Sequence, residues 1–151
     1  MKIEERITYI KSWIRNYCKS MSREADSLIV GISGGIDSSV TSALCALTGK
    51  KTIALSMPIK QIKDQHDLSL KHLNWLKKNF NNVETSLIEL DSVYKSFENS
   101  LSKFNNKHGL ANSRARLRMV TLYQVAASNN GIVVGTGNKI EDFGVGFYTK
   151  Y

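Results

Sequence analysis

The run Gly31-Ile32-Ser33-Gly34-Gly35-Ile36-Asp37-Ser38-Ser39 constrains this chain more than any other stretch. It follows Ser27-Leu28-Ile29-Val30 and precedes Val40-Thr41-Ser42-Ala43-Leu44-Cys45-Ala46-Leu47, which has the composition of a buried helix. That order reads strand, glycine turn, helix. Adjacent glycines let the backbone approach a ligand without a Cβ in the way. Successive N–H groups then converge on one concavity at a helix N-terminus, which holds anionic oxygens. Ser33, Ser38 and Ser39 add hydroxyl donors, and Asp37 makes sense beside an anion if it carries a cation. The loop is neither the dinucleotide fingerprint G-x-G-x-x-G nor the Walker loop ending in G-K-[ST]. A plain turn with Asp or Ser as N-cap is the simpler alternative, but it has no need of two glycines, three hydroxyls and an acid together.

Around this loop the chain reads as an alternating α/β domain. Ile3, Ile7, Ile10, Ile14 and Tyr17, widened by Trp13, give a first helix with an apolar stripe that covers either the sheet or a second subunit. Gly49 ends the helix behind the loop, and Lys51 to Met57 reads as a second strand, stopped by Pro58. Open parallel sheets bind ligands at the carboxyl ends of their strands, so Pro58 to Asp64 should overhang the bound group. Asp64 to Lys78 is an amphipathic helix, and His66 and His72, six residues apart, read as surface residues. Val83 to Ile88 alternates like a strand, Asp91 caps a helix running to about Phe104, and 105–109 is a loop.

In Asn112 to Met119 the arginines recur every second residue. On a helix Arg114 and Arg118 then share a face while Arg116 points elsewhere. One of these sets meets an anion, or the face is simply solvated. Gly131-Ile132-Val133-Val134-Gly135 is short and apolar, as a central parallel strand should be. After it, Thr136 to Asp142 should lie beside the glycine loop, so that Glu141 faces Asp37 across nucleotide phosphates. Two carboxylates with phosphate oxygens and waters make a magnesium site; the alternative is an exposed glutamate in a loop.

The bulk numbers agree with one domain. A length of 151 residues suits a single α/β unit, and 42% hydrophobic with 23% charged residues is globular. No membrane span or signal-peptide core is evident, so the expected location is cytoplasmic, without a membrane partner. Cys18 and Cys45 lie far apart in sequence, outside any metal-ligand spacing, and read as core residues. The net charge of +8 invites a nucleic-acid reading. Because the lysines are dispersed, a solvated basic surface or a polyanionic small molecule is the preferred explanation, with no nucleic-acid partner.

Ser33-Gly34-Gly35-Ile36-Asp37-Ser38 resembles the S-G-G-x-D-S loop of the ATP pyrophosphatases, which split ATP between its α and β phosphates. With the Asn112-to-Met119 block and Gly135-Thr136-Gly137-Asn138-Lys139-Ile140-Glu141 running on to Gly146-Phe147-Tyr148-Thr149-Lys150-Tyr151, the whole chain resembles NAD synthetase. The resemblance implies a Rossmann-like three-layer α/β sandwich with a mostly parallel sheet and a PP-loop, similar to the adenine nucleotide alpha hydrolases. It implies an ammonia-dependent ligase that amidates deamido-NAD through an adenylate, releasing AMP and pyrophosphate. By matching position, Gly31, Ile32, Ser33, Gly34, Gly35, Ile36, Asp37, Ser38 and Thr136 would bind ATP as co-substrate. Asp37 and Glu141 would hold Mg2+ as the catalytic pair, while Arg116, Lys150, Asn112 and Phe147 would bind deamido-NAD.

The family is also a homodimer, and its T-K-[YF] segment continues into G-D-G-G. Residues 1–151 are therefore expected to be the synthetase domain without its C-terminal portion, with uncertain activity alone. There is no room for a glutaminase domain, so ammonia is the expected donor. The segment from Met57 to Gln65 departs from the family's ATP-contacting arginine and glutamine, which leaves Ser56 and Gln61 without a role. Competing readings are an RNA-modifying relative with the same loop, and a nucleotide-binding module without turnover.

Overall fold

The computed structural model describes residues 2–145, so Phe147 and Lys150 lie outside the described residues. The chain runs α1 (Ile3–Ser20), β1 (Ser27–Gly31), α2 (Ile36–Leu47), β2 (Lys51–Ser56), α3 (Lys63–Asn79), β3 (Val83–Leu87), α4 (Asp91–Ser100), α5 (Lys107–Ser128) and β4 (Gly131–Val133), then a π-helical segment, Ile140–Val145. The four strands form one parallel sheet in the order β3-β2-β1-β4. From β1 the chain steps outward to β2 and β3, then returns to the other side of β1. The carboxyl ends of β1 and β4 therefore flank the point where strand order reverses, the usual ligand position in such sheets.

Side-chain alternation along the strands builds two apolar layers. Leu28, Val30 and Ala54 pack with Ile14 and Cys18 of α1, Cys45 and Ala46 of α2, and Leu73 and Leu76 of α3. Ile29, Ile53 and Leu55 point the other way, onto Tyr94 of α4 and Ala126 of α5. The result is the expected three-layer sandwich. Cys18 and Cys45 are free and buried in the first layer, and burial pushes the Cys45 thiol up to about 12. Among the described residues, no helix is long and apolar enough to cross a membrane.

Several expectations need correction. In α1 only Ile14 and Cys18 are buried, while Ile3, Ile10, Trp13 and Tyr17 are exposed. The helix packs on α2 along the Ile14–Cys18 line, which turns the rest of its stripe outward. Asp91 is not the cap of α4: Leu90 holds that position, the helix stops at Ser100, and the Asp91 carboxylate instead accepts the Lys60 N–H at 2.6 Å. The loop over 105–109 shrinks because Asn106 accepts the Gly109 N–H and starts α5 at Lys107. Finally, β4 is half-buried at a sheet edge among the described residues, rather than central.

Candidate active site

The glycine loop leaves β1 at Gly31, and the Ile32 N–H continues the ladder to the Leu55 carbonyl at 2.7 Å. Gly34 then takes φ +91, and a Cβ there would collide with the Gln65 carbonyl oxygen while lying 3.2 Å from the Ser69 nitrogen. Only glycine lets the loop pack this tightly against α3. Gly35, not Asp or Ser, is the N-cap of α2, with no side-chain cap. The cap expected for a plain turn, Asp or Ser, is therefore not the one used. The hydroxyls instead organise the loop: Ser38 Oγ accepts the Ser33 N–H at 3.3 Å and meets Ser33 Oγ at 3.2 Å. Ser33 Oγ accepts the Gly35 N–H, and the Ser38 and Ser39 hydroxyls donate to the Gly35 carbonyl. A ligand with several oxygens can replace these internal contacts with the same donors.

The loop forms one wall of a cleft of about 750 Å³ that reaches Met57 to Ile62 after β2, Arg114 and Arg118 on α5, and Thr136 after β4. The segment after β2 therefore overhangs the site as expected. Gln61, without a role in the sequence reading, lines the cleft and donates from Nε2 to the Ser33 carbonyl at 2.9 Å. Ser56 is buried and bonded to Ser69. Arg118 donates from Nε to the Met57 carbonyl at 2.9 Å, and burial, followed by the Arg114 charge, lowers its pKa. Arg116 is exposed and, with Asn112, lies outside the cleft wall.

Across the sheet edge, Asn138 Nδ2 donates to Asp37 Oδ2 at 3.2 Å. Its Oδ1 accepts the N–H groups of Ile140 at 3.1 Å and Glu141 at 2.9 Å. One neutral amide thus ties the segment carrying Glu141 to Asp37. Neither acid joins an ion pair among the described residues, and those residues contain no group of three or more potential metal ligands. Neither acid lines the cleft itself; Asp37 adjoins the glycine loop and Glu141 is brought toward it through its backbone N–H. These are the two residues that could hold magnesium, which takes one or two protein carboxylates and fills its shell with phosphates and water.

The histidines also differ from the surface reading. His72 Nε2 lies 2.8 Å from Ser42 Oγ on α2 and its ring stacks on Trp75, with centroids 5.5 Å apart. His72 is partly buried because α3 turns this face toward α2. His66 Nδ1 is buried with no hydrogen-bond partner among the described residues. Sequence reasoning missed Asn138, Lys60, Gln61 and the His72–Ser42 link. The Asn138 signal was its place between Gly137 and the acids.

Strand order and loop chemistry place this domain among the α/β folds that cradle phosphates in a PP-loop. Residues 6–151 match the profile described as NAD synthase, and the chain belongs to that family. It is 33% identical over 156 residues to the NH(3)-dependent NAD(+) synthetase of Carboxydothermus hydrogenoformans, covering 98% of this chain and 60% of that protein. Among solved structures, the NMN synthetase of Francisella tularensis superposes with a TM-score of 0.87 at 32% identity, covering 99% of this chain and 60% of that one. The NH3-dependent NAD synthetase of Campylobacter jejuni, in complex with nitrate, gives 0.83 at 30%, covering 99% and 62%. The chain spans about 60% of the length of these relatives.

Proposed function

We propose that residues 1–151 form the ATP pyrophosphatase-type domain of an ammonia-dependent NAD synthetase, a ligase that amidates deamido-NAD using ATP. The observation that supports this most is the Asn138 bridge, which keeps Asp37 and the Glu141 segment together at the edge of a glycine-lined cleft. The loop N–H groups and the N-terminus of α2 bind phosphate oxygens. Asp37 and Glu141 hold Mg2+, which when bound neutralises charge on the departing pyrophosphate. Thr136 and the loop from Gly31 to Ser38 orient ATP, and Arg116 and Asn112 bind deamido-NAD together with Phe147 and Lys150.

The nicotinate carboxylate oxygen attacks the α-phosphorus, the bond to the bridging oxygen breaks, and pyrophosphate leaves with the electron pair. Ammonia then adds to the activated carbonyl, AMP leaves, and the surplus proton passes to solvent. Holding two anionic substrates in line is the main catalytic task, so no protein nucleophile is required. Catalysis by a homodimer in the cytoplasm completes the proposal. The exposed Trp13 and Tyr17 of α1 and the exposed Met119, Val120 and Tyr123 of α5 support a partner subunit.

The test is NAD formation, read as NADH after enzymatic reduction. In the full-length protein it should require ATP, deamido-NAD and ammonia together; product without ATP, or none with all three, rejects the proposal. The likeness to the Francisella protein favours one second reading, amidation of nicotinic acid mononucleotide to NMN. Faster turnover of the mononucleotide than of the dinucleotide would select it.

A further inference from the structure

Lys60 stands out in the cleft wall. Its φ is +47, in the left-handed region that side chains avoid and glycine adopts freely. The backbone is fixed there by Asp91, whose carboxylate accepts the Lys60 N–H at 2.6 Å. A glycine would serve this turn with less strain, so the lysine side chain invites an explanation of its own. That side chain reaches across the Tyr94 ring, 5.5 Å from its centroid, to Glu98 Oε2 at 2.5 Å. The pair is open to water, with Lys60 52% and Glu98 22% exposed, so its two ends separate at little cost.

Lys60 also shares the wall with Arg114 and Arg118. This corner sets three cations against two acids, Asp91 and Glu98, an excess of one positive charge facing the glycine loop. We propose that Lys60 is a ligand-binding residue of the cleft, a mobile cation shared between Glu98 and a phosphate oxygen of a bound nucleotide. This rests on the reading of the cleft as a nucleotide site and adds a cation that the glycine loop does not supply. Glu98 holds the ammonium beside the site, and the corner as a whole keeps its excess positive charge. Tyr94, buried and anchored by its hydroxyl to the Leu110 carbonyl, is the fixed surface over which the side chain swings.

Calorimetric titration with α,β-methylene-ATP and, separately, with deamido-NAD tests this in the unsubstituted protein and three variants. Lys60→Gly keeps the left-handed backbone and should weaken one of the two ligands about tenfold, the loss of one charge-assisted contact. The ligand that responds identifies whose phosphate Lys60 meets. Lys60→Arg should restore most of the affinity. Glu98→Gln should leave binding unchanged or up to about fivefold tighter, because the competing anion is gone. Equal weakening by Lys60→Gly and Glu98→Gln would make the pair a structural latch and overturn the assignment, as would unchanged binding in Lys60→Gly. If the unsubstituted protein binds neither nucleotide, the cleft reading falls and the assignment falls with it, a result distinct from either of those.

Discussion

Asn138 donates to Asp37 at 3.2 Å and accepts the Glu141 N–H at 2.9 Å, so one side chain spans residues that lie about a hundred positions apart in the chain. If Asp37 holds magnesium as proposed, an amide in this position would orient the carboxylate from behind, the role usual for groups just outside a metal site. Asp37→Asn should abolish AMP formation while the circular dichroism spectrum stays intact. Asn138→Ala should raise the magnesium concentration needed for half-maximal turnover by about tenfold or more. An unchanged magnesium requirement would reduce Asn138 to a cap of the π-helical segment.

Gly34 and Gly49 both have positive φ, at +91 and +79, yet only Gly34 is crowded. Gly34→Ala drives a methyl into the backbone of α3 and should cost about 2 kcal/mol or more, lowering the melting temperature by about 5 °C. Gly49→Ala, with nothing within 4 Å, carries only the conformational penalty of about 1 kcal/mol. Paired thermal melts should separate the two, and equal shifts would remove the close packing of the loop on α3 as a cause.

His72 carries a pH dependence of definite sign. Burial lowers its pKa below the ordinary 6.5, so as pH falls the unfolded chain takes up the proton first. The stability this neutral histidine gives is present above pH 6.5, is lost as pH falls through the window just below it, and levels off under the folded value. Denaturant titrations at about pH 7.5 and pH 5.5 should show a smaller acid-side loss in His72→Gln than in the unsubstituted protein. Identical losses would mean that burial does not hold the His72 ring in its neutral form.

Arg116→Ala should weaken deamido-NAD about tenfold and leave ATP nearly unchanged, because Arg116 is exposed on α5 away from the cleft wall formed by Arg114 and Arg118. Separate titrations of the two ligands check this. Equal weakening of both would make Arg116 a structural residue.

The glycine loop, the parallel sheet and the sharing of one face by Arg114 and Arg118 were legible because each follows from local spacing or chain order. What stayed hidden depends on how elements pack. The apolar residues of α1 gave a helix but not which of them α2 would cover, so Ile14 and Cys18 could not be told from Trp13 and Tyr17. His72 was misread because its partner Ser42 lies on another helix. Lys60 and Gln61 gave no signal, since a loop's reach into a cleft is fixed by contacts such as those of Asp91 and Ser33, which periodicity does not encode. Asn138 was passed over for its charged neighbours, although a neutral amide serves better behind two acids.

The central claim is that the glycine cradle and the Asp37–Glu141 edge hold ATP for cleavage between its α and β phosphates. Phosphorus NMR of the protein turning over ATP with magnesium, deamido-NAD and ammonia tests it directly. AMP and pyrophosphate should appear together, in amounts equal to the amide formed; ADP with orthophosphate would contradict the account.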